Sequence, residues 1–168
     1  MLNGDIAPNR LKRATYKMSD LFHAYPGAEI ALIAFAGDAH VVVPFTEDYH
    51  TIKTLSQTLS PDLMPKMGHN VASVIELAND MAQRKPNARL LFIASDLGKQ
   101  DEAAVAIKDS LLSVMWWVFA DTPSFVFDKA GFTQVSFAPD DADIRAIVSA
   151  LTTSSSVVSP KDYFYDTW

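Results

Sequence analysis

Cysteine is missing from all 168 residues, which rules out a disulfide framework, a thiolate metal site and a cysteine nucleophile. A basic excess is missing too. Fourteen Lys and Arg stand against twenty Asp and Glu, a formal net charge of −6. A phosphate-backbone partner demands a basic face, so nucleic acid is excluded as a partner class. No apolar run approaches the roughly 18 residues needed to span a bilayer, and the first residues do not read as a signal peptide. The catalytic signatures are equally scarce. There is no Gly-x-Ser-x-Gly elbow, no phosphate-cradling glycine loop and no His-Glu-x-x-His helix. By these exclusions the chain is a soluble acidic domain.

What is present is a core. At 49% hydrophobic, the chain is long enough for one domain of ordinary size. Pro8-Asn9 opens a helix with Leu11, Ala14, Met18, Leu21 and Phe22 at helical spacing, closed by Pro26-Gly27. Arg10, Lys12, Arg13 and Lys17 fill its other positions and read as a solvated face. Ile30–Phe35 and Val41–Phe45 form a hairpin around Gly37-Asp38. Asp48 and Asn70 cap two further amphipathic helices. Arg89–Ser95, Val114–Ala120 and Gln134–Ala138 read as strands, with helices at Glu102–Leu112 and Asp141–Leu151. This rhythm predicts an α/β three-layer sandwich with a mostly parallel sheet and one antiparallel edge strand.

In open α/β sheets ligands gather at the carboxyl ends of the strands. Three stretches qualify: Asp5, the loop Met67-Gly68-His69-Asn70, and Ser95-Asp96-Leu97-Gly98. His69, Asp96 and Ser95 at one edge allow a hydrolytic cluster, but any α/β sandwich puts polar residues there. Met64, Met67, Trp116 and Trp117 allow an apolar ligand stripe. The two tryptophans are better explained as strand residues facing helices on opposite sides.

Several motifs carry a family likeness. Asp5-Ile6-Ala7-Pro8-Asn9-Arg10-Leu11, Phe35-Ala36-Gly37-Asp38-Ala39, Pro44-Phe45-Thr46-Glu47-Asp48-Tyr49 and Leu59-Ser60-Pro61-Asp62-Leu63-Met64-Pro65 recur in this order and spacing in the bacterial membrane-anchored aerotolerance group of von Willebrand factor type A domains. The chain resembles that group from Met1 to about Gly98, and beyond Lys99 in element order only. The resemblance implies a Rossmann-like domain over residues 1–151, followed by a linker and aromatic tail over residues 152–168. In relatives a similar aromatic segment ending in Trp precedes a membrane-spanning helix; alternatively these rings pack back on the domain.

The resemblance also implies what to expect of a metal. Such domains hold a divalent cation through D-x-S-x-S, a threonine of a Gly-Thr loop and an aspartate ending the central strand. Here D-x-S-x-S would lie before Met1, His69 stands where the threonine belongs after Gly68, and only Asp96 remains. No cofactor is expected on this chain, and Mg2+ only on an intact parent. The implied function is a non-catalytic protein–protein interaction module, with Asp5, Thr46, Gly68, His69 and Asp96 forming the recognition surface. The implied partners are operon-encoded membrane proteins and a MoxR-type AAA+ ATPase. The implied parent is anchored in the cytoplasmic membrane with this domain outside. A small hydrolase using His69 and Asp96 is the alternative.

The family's central first strand would precede D-x-S-x-S, between Ile30–Phe35 and Arg89–Ser95. Without it two apolar strands face a gap with unpaired backbone groups. Three situations satisfy that gap. The sequence is a truncated product, the two strands pair directly, or another segment or chain adds a strand. The first is the expectation, because the rest of the chain reads as built around that strand.

Overall fold

The computed structural model describes residues 6–120 and 132–153, together with the backbone of residues 163–167. In chain order the elements are α1 (Arg10–Ala24), β1 (Glu29–Phe35), β2 (Ala39–Thr46), α2 (Tyr49–Gln57), α3 (Val71–Ala82) and β3 (Arg89–Ala94). They continue with α4 (Gln100–Lys108), β4 (Ser113–Val118), β5 (Phe132–Ser136), α5 (Ala142–Thr153) and β6 (Tyr163–Thr167). The helix starts follow from local chemistry. Asn9 accepts from the Lys12 N–H at 2.9 Å, Asp48 from the His50 and Thr51 N–H groups, and Asn70 from the Ser73 N–H at 3.1 Å. Each satisfies donors that the first helical turn leaves without partners.

The sheet order is β2-β1-β6-β3-β4-β5. Only β2 runs antiparallel, paired with β1 at the edge. Period-two alternation along the parallel strands sorts their side chains into two cores. Ile30, Leu32, Leu91, Ile93, Met115 and Trp117 pack on α1, α2 and α5. Ala31, Ile33, Leu90, Phe92, Val114 and Trp116 pack on α3 and α4. Trp116 and Trp117 therefore face opposite layers, both wholly buried, as their adjacency in one strand predicts. Each contributes about 4–6 kcal/mol of apolar transfer free energy before the entropy of ordering is set against it.

The slot between β1 and β3 is filled, and by the chain's own tail. β6 pairs in parallel with β1 from Glu29–Tyr163 to Ile33–Thr167, and with β3 from Arg89–Phe164 to Phe92–Thr167. The expected vacancy at the centre of the sheet is thus corrected to strand addition by the last strand in sequence. Residues 163–167, which lie within the expected tail, form this paired strand. The reason is the backbone: an orphaned buried N–H or C=O costs about 1–3 kcal/mol, and two open strand edges present many.

Smaller corrections follow from turns and partners. α4 ends at Lys108 instead of Leu112, where the Asp109 N–H already bonds back to Val105 and Ala106. β5 lies two residues earlier than expected, set by its register from Val114–Phe132 to Val118–Ser136. Lys17 is not part of a solvated face. It is buried, and its ammonium meets Asp143 Oδ1 at 2.7 Å and the Asp140 carbonyl. Asp143 also accepts from Trp117 Nε1 and the Ala138 N–H at 3.0 Å each, and from its neighbour the Ile144 N–H at 2.9 Å. One network therefore ties α1, β4 and the β5–α5 connection together.

Candidate functional site at the carboxyl edge

Three loops meet at the carboxyl ends of β1 and β3. The loop before α3 is stitched to the end of β1 by backbone bonds: Gly37 N–H to the Lys66 carbonyl at 3.0 Å and Asn70 N–H to the Ala36 carbonyl at 2.7 Å. The Asn70 amide adds a bond to the Gly37 carbonyl at 3.1 Å. Gly37 is required by this closeness, since a Cβ there would lie 2.7 Å from Lys66 Cβ and the Met67 carbonyl. Lys66 pairs with Asp38 at 2.8 Å across the same junction. These contacts place His69 beside the loop that follows β3.

There His69 Nε2 lies 3.3 Å from Asp96 Oδ1, with side chains 48% and 37% exposed. The same oxygen accepts the Gly98 N–H at 2.9 Å. Gly98 has φ +78°, and a Cβ on it would stand 2.9 Å from His69 Cβ. The backbone after β3 is therefore shaped to admit the imidazole. Beside the pair opens a cavity of about 220 Å³, lined by Leu11, Leu59, Leu63, Met64 and Met67 with Ala34–Ala36 and Ala94–Asp96. Leu63 and Met67 stand at its mouth, 65% and 85% exposed. A roomier hollow of about 400 Å³ lies between α1 and the end of α2, but its polar lining of Asn9, Lys12 and Gln57 converges on no charged pair.

The predicted site residues fare unequally. Gly68, His69 and Asp96 do come together. Thr46 does not. It pairs with Ile30 at the amino end of β1, because β2 runs antiparallel and its carboxyl end lies at the opposite edge of the sheet. Asp5 falls outside the described residues. Met64 and Met67 line the cavity, while Trp116 and Trp117 are sealed in the two cores. Leu59 and Leu63 belong to a motif quoted from the sequence for its family likeness, but were not among the predicted site residues. Their signal was available, as large apolar residues in a proline-containing loop with no helix or strand to bury them.

The family's cation does not fit these donors. Magnesium wants octahedral oxygen ligands at about 2.0–2.1 Å. Among the described residues Asp96 is the one carboxylate lining the cavity, one of its oxygens already accepts the Gly98 N–H, and its neighbour is an imidazole. Among the described residues no group of three His, Cys, Asp or Glu is placed to share a metal. A hydrolytic cluster lacks its connection as well: Ser95 is buried, and among the described residues no hydrogen bond joins it to His69.

Residues 1–99 match the family model described as von Willebrand factor type A domain. The chain belongs to that family. The solved structures agree on the fold of this von Willebrand type A domain. An aerotolerance-related membrane protein from Bacteroides fragilis, carrying multiple mutations to serine, superposes with a TM-score of 0.74 at 21% identity, covering 91% of this chain and 93% of that one. The conserved hypothetical protein BatB from Bacteroides thetaiotaomicron gives 0.68, also at 21% identity and with the same coverage. The SpRpn10 VWA domain gives 0.52 at 16% identity, covering 95% and 93%. No curated protein matches the sequence significantly. Among the described residues no helix is long and apolar enough to cross a membrane.

Proposed function

We propose that this von Willebrand type A domain is a non-catalytic protein–protein interaction module of the aerotolerance group, engaging its partner through the carboxyl edge without a bridging cation. One observation carries the reading: an apolar cavity with Leu63 and Met67 exposed at its mouth, next to an accessible His69–Asp96 pair. Interfaces concentrate affinity in a few apolar anchors ringed by polar groups, and this edge supplies both. The partners are operon-encoded membrane proteins or a MoxR-type AAA+ ATPase, and the parent is anchored in the cytoplasmic membrane with the domain outside it. The naming of two aerotolerance and BatB structures among the similar folds supports that group assignment. The donor set supports the metal-independent form.

Calorimetry of the purified domain against those candidates is the test. Met67→Asp should abolish binding while leaving the melting temperature unchanged, and EDTA should have no effect. Binding that requires Mg2+ and is lost in Asp96→Ala would overturn the metal-independent reading. Turnover of an ester, phosphoester or peptide substrate, lost in His69→Ala, would overturn the non-catalytic one.

A further inference from the structure

The apolar cavity does not stand alone at the carboxyl edge. The hollow between α1 and the end of α2 meets it at Leu11, Leu59 and Ser60. On its other side the cavity meets a further hollow, of about 430 Å³, at Met67, Gly68 and His69. That hollow lies against the starts of α3 and α4, at Asn70 and Glu102. Joined by these shared walls, the three form a trough whose charge changes sign along its length. Lys12 is the charged residue of the α1 end. It is exposed, and among the described residues no ion pair includes it. The cavity and the far hollow contain Asp96 and Glu102, and neither is lined by Lys or Arg. The basic group they share is His69, already turned to Asp96 Oδ1. The other Asp96 oxygen accepts no hydrogen bond among the described residues. Glu102 meets Lys99 at 3.1 Å with side chains 70% and 82% exposed, and a solvated pair of this kind exchanges readily for another. Between the two charged ends stand Leu63 and Met67, apolar and open to solvent.

The geometry points to a bipolar peptide groove: its occupant is a short partner segment whose side chains run acidic, apolar, basic. The carboxylate lies at Lys12, one large apolar side chain fills the cavity, and an Arg or Lys meets Asp96 and Glu102. This rests on the interaction reading above and deepens it by naming the partner's chemistry. Charge complementarity selects the occupant, because a like charge at either end is repelled while an unlike one gains a contact. At about 220 Å³ the cavity is smaller than the roughly 300–1,000 Å³ of small-molecule pockets, which suits a single side chain. The partner's Arg or Lys meets Asp96 directly, without the cation that these donors do not fit.

Capped peptides carrying Glu, Leu and Arg spaced by glycines test this on the full chain, each made in both chain directions. They are compared with versions that carry Glu, or Arg, at both ends. Titrations followed by the Met64 and Met67 methyl resonances should show the Glu-Leu-Arg peptide, in one direction, binding at least about fivefold more tightly than either like-charged version. That preference should fade at high salt, and serine in place of leucine should remove binding. Lys12→Glu should make the Arg-Leu-Arg peptide the tightest. Glutamate suits this position in the first turn of α1, so the melting temperature should hold. The double variant Asp96→Asn with Glu102→Gln should bind the Glu-Leu-Arg and Glu-Leu-Glu peptides alike. Equal affinity for the three peptides would overturn the groove. So would a preference unmoved by Lys12→Glu, methionine resonances unmoved by millimolar peptide, or self-association of the chain that covers the same methionines. Calorimetry against whole partners reads the interaction module separately: whole-partner binding combined with indifference to these peptides removes the groove and leaves the module.

Discussion

Two contacts between a basic side chain and an aspartate divide this molecule. Lys17–Asp143 lies under α1 and α5 with side chains 5% and 0% exposed, while His69–Asp96 stands at the carboxyl edge at 48% and 37%. Both join a basic group to an aspartate from a distant part of the chain. In the first, the carboxylate also accepts an indole and two backbone N–H groups, and the ammonium meets a carbonyl and lies 5.6 Å from the Phe137 ring centroid. Every partner is inside the domain. In the second, solvent reaches both groups and an apolar cavity opens alongside. The difference separates a pair that holds elements in place from one available to something outside.

Breaking the buried pair should have the largest effect. Lys17→Met leaves Asp143 charged among Trp117 and the α5 start, and should cost about 3–5 kcal/mol in urea denaturation. A loss under 1 kcal/mol would mean that the two pairs do not differ in kind. Next comes the backbone that shapes the exposed site. Gly98→Ala forces a side chain into φ +78° and against His69, so about 1–2 kcal/mol is expected together with a displaced imidazole resonance. His69→Ala should change stability by no more than about 0.5 kcal/mol, since an exposed pair contributes little. Partner affinity in the same variant should fall severalfold, and a stability loss matching that of Lys17→Met would erase the contrast.

The smallest effect belongs to a third carboxylate. Asp48, exposed at the start of α2, is held below the ordinary carboxylate range by the Thr51 hydroxyl at 2.5 Å, then by the Thr51 N–H, with lesser help from His50. Because the folded value is the depressed one, its contribution is present above the ordinary carboxylate pKa and is lost as pH falls through the lowered one. Asp48→Asn keeps an oxygen for capping but does not titrate. The melting-temperature gap between parent and variant should therefore close on acidification, and a gap that widened would refute the sign.

Much of this was legible before any coordinates. Asn9, Asp48 and Asn70 announce helix starts by their chemistry alone, and the unbroken apolar run of β1 announces a strand covered on both faces. His69, from a loop entering a helix, and Asp96, directly after a strand, were already placed at the same sheet edge. What local pattern does not carry is direction and distance. Thr46 follows a strand like Asp96 does, but the antiparallel course of β2 sends it to the far edge. Lys17 sits on a helix among other basic residues, and nothing nearby reveals an aspartate 126 positions away. Tyr163–Thr167 has the aromatic, acidic look of a tail. Its strand character comes from two walls that lie more than seventy residues upstream.

The position of β6 also sets a schedule. β2-β1 and β3-β4-β5 share no strand pairing until residues 163–167 arrive between them. A ribosome releases the amino-terminal parts first, at about 5–20 residues per second, so both half-sheets are made before their seam. The contacts that unite them span over 130 residues on the β1 side, and closing such long loops makes folding slow. For this domain the seam of the sheet is written after both of the halves it joins, and until then two apolar edges wait open.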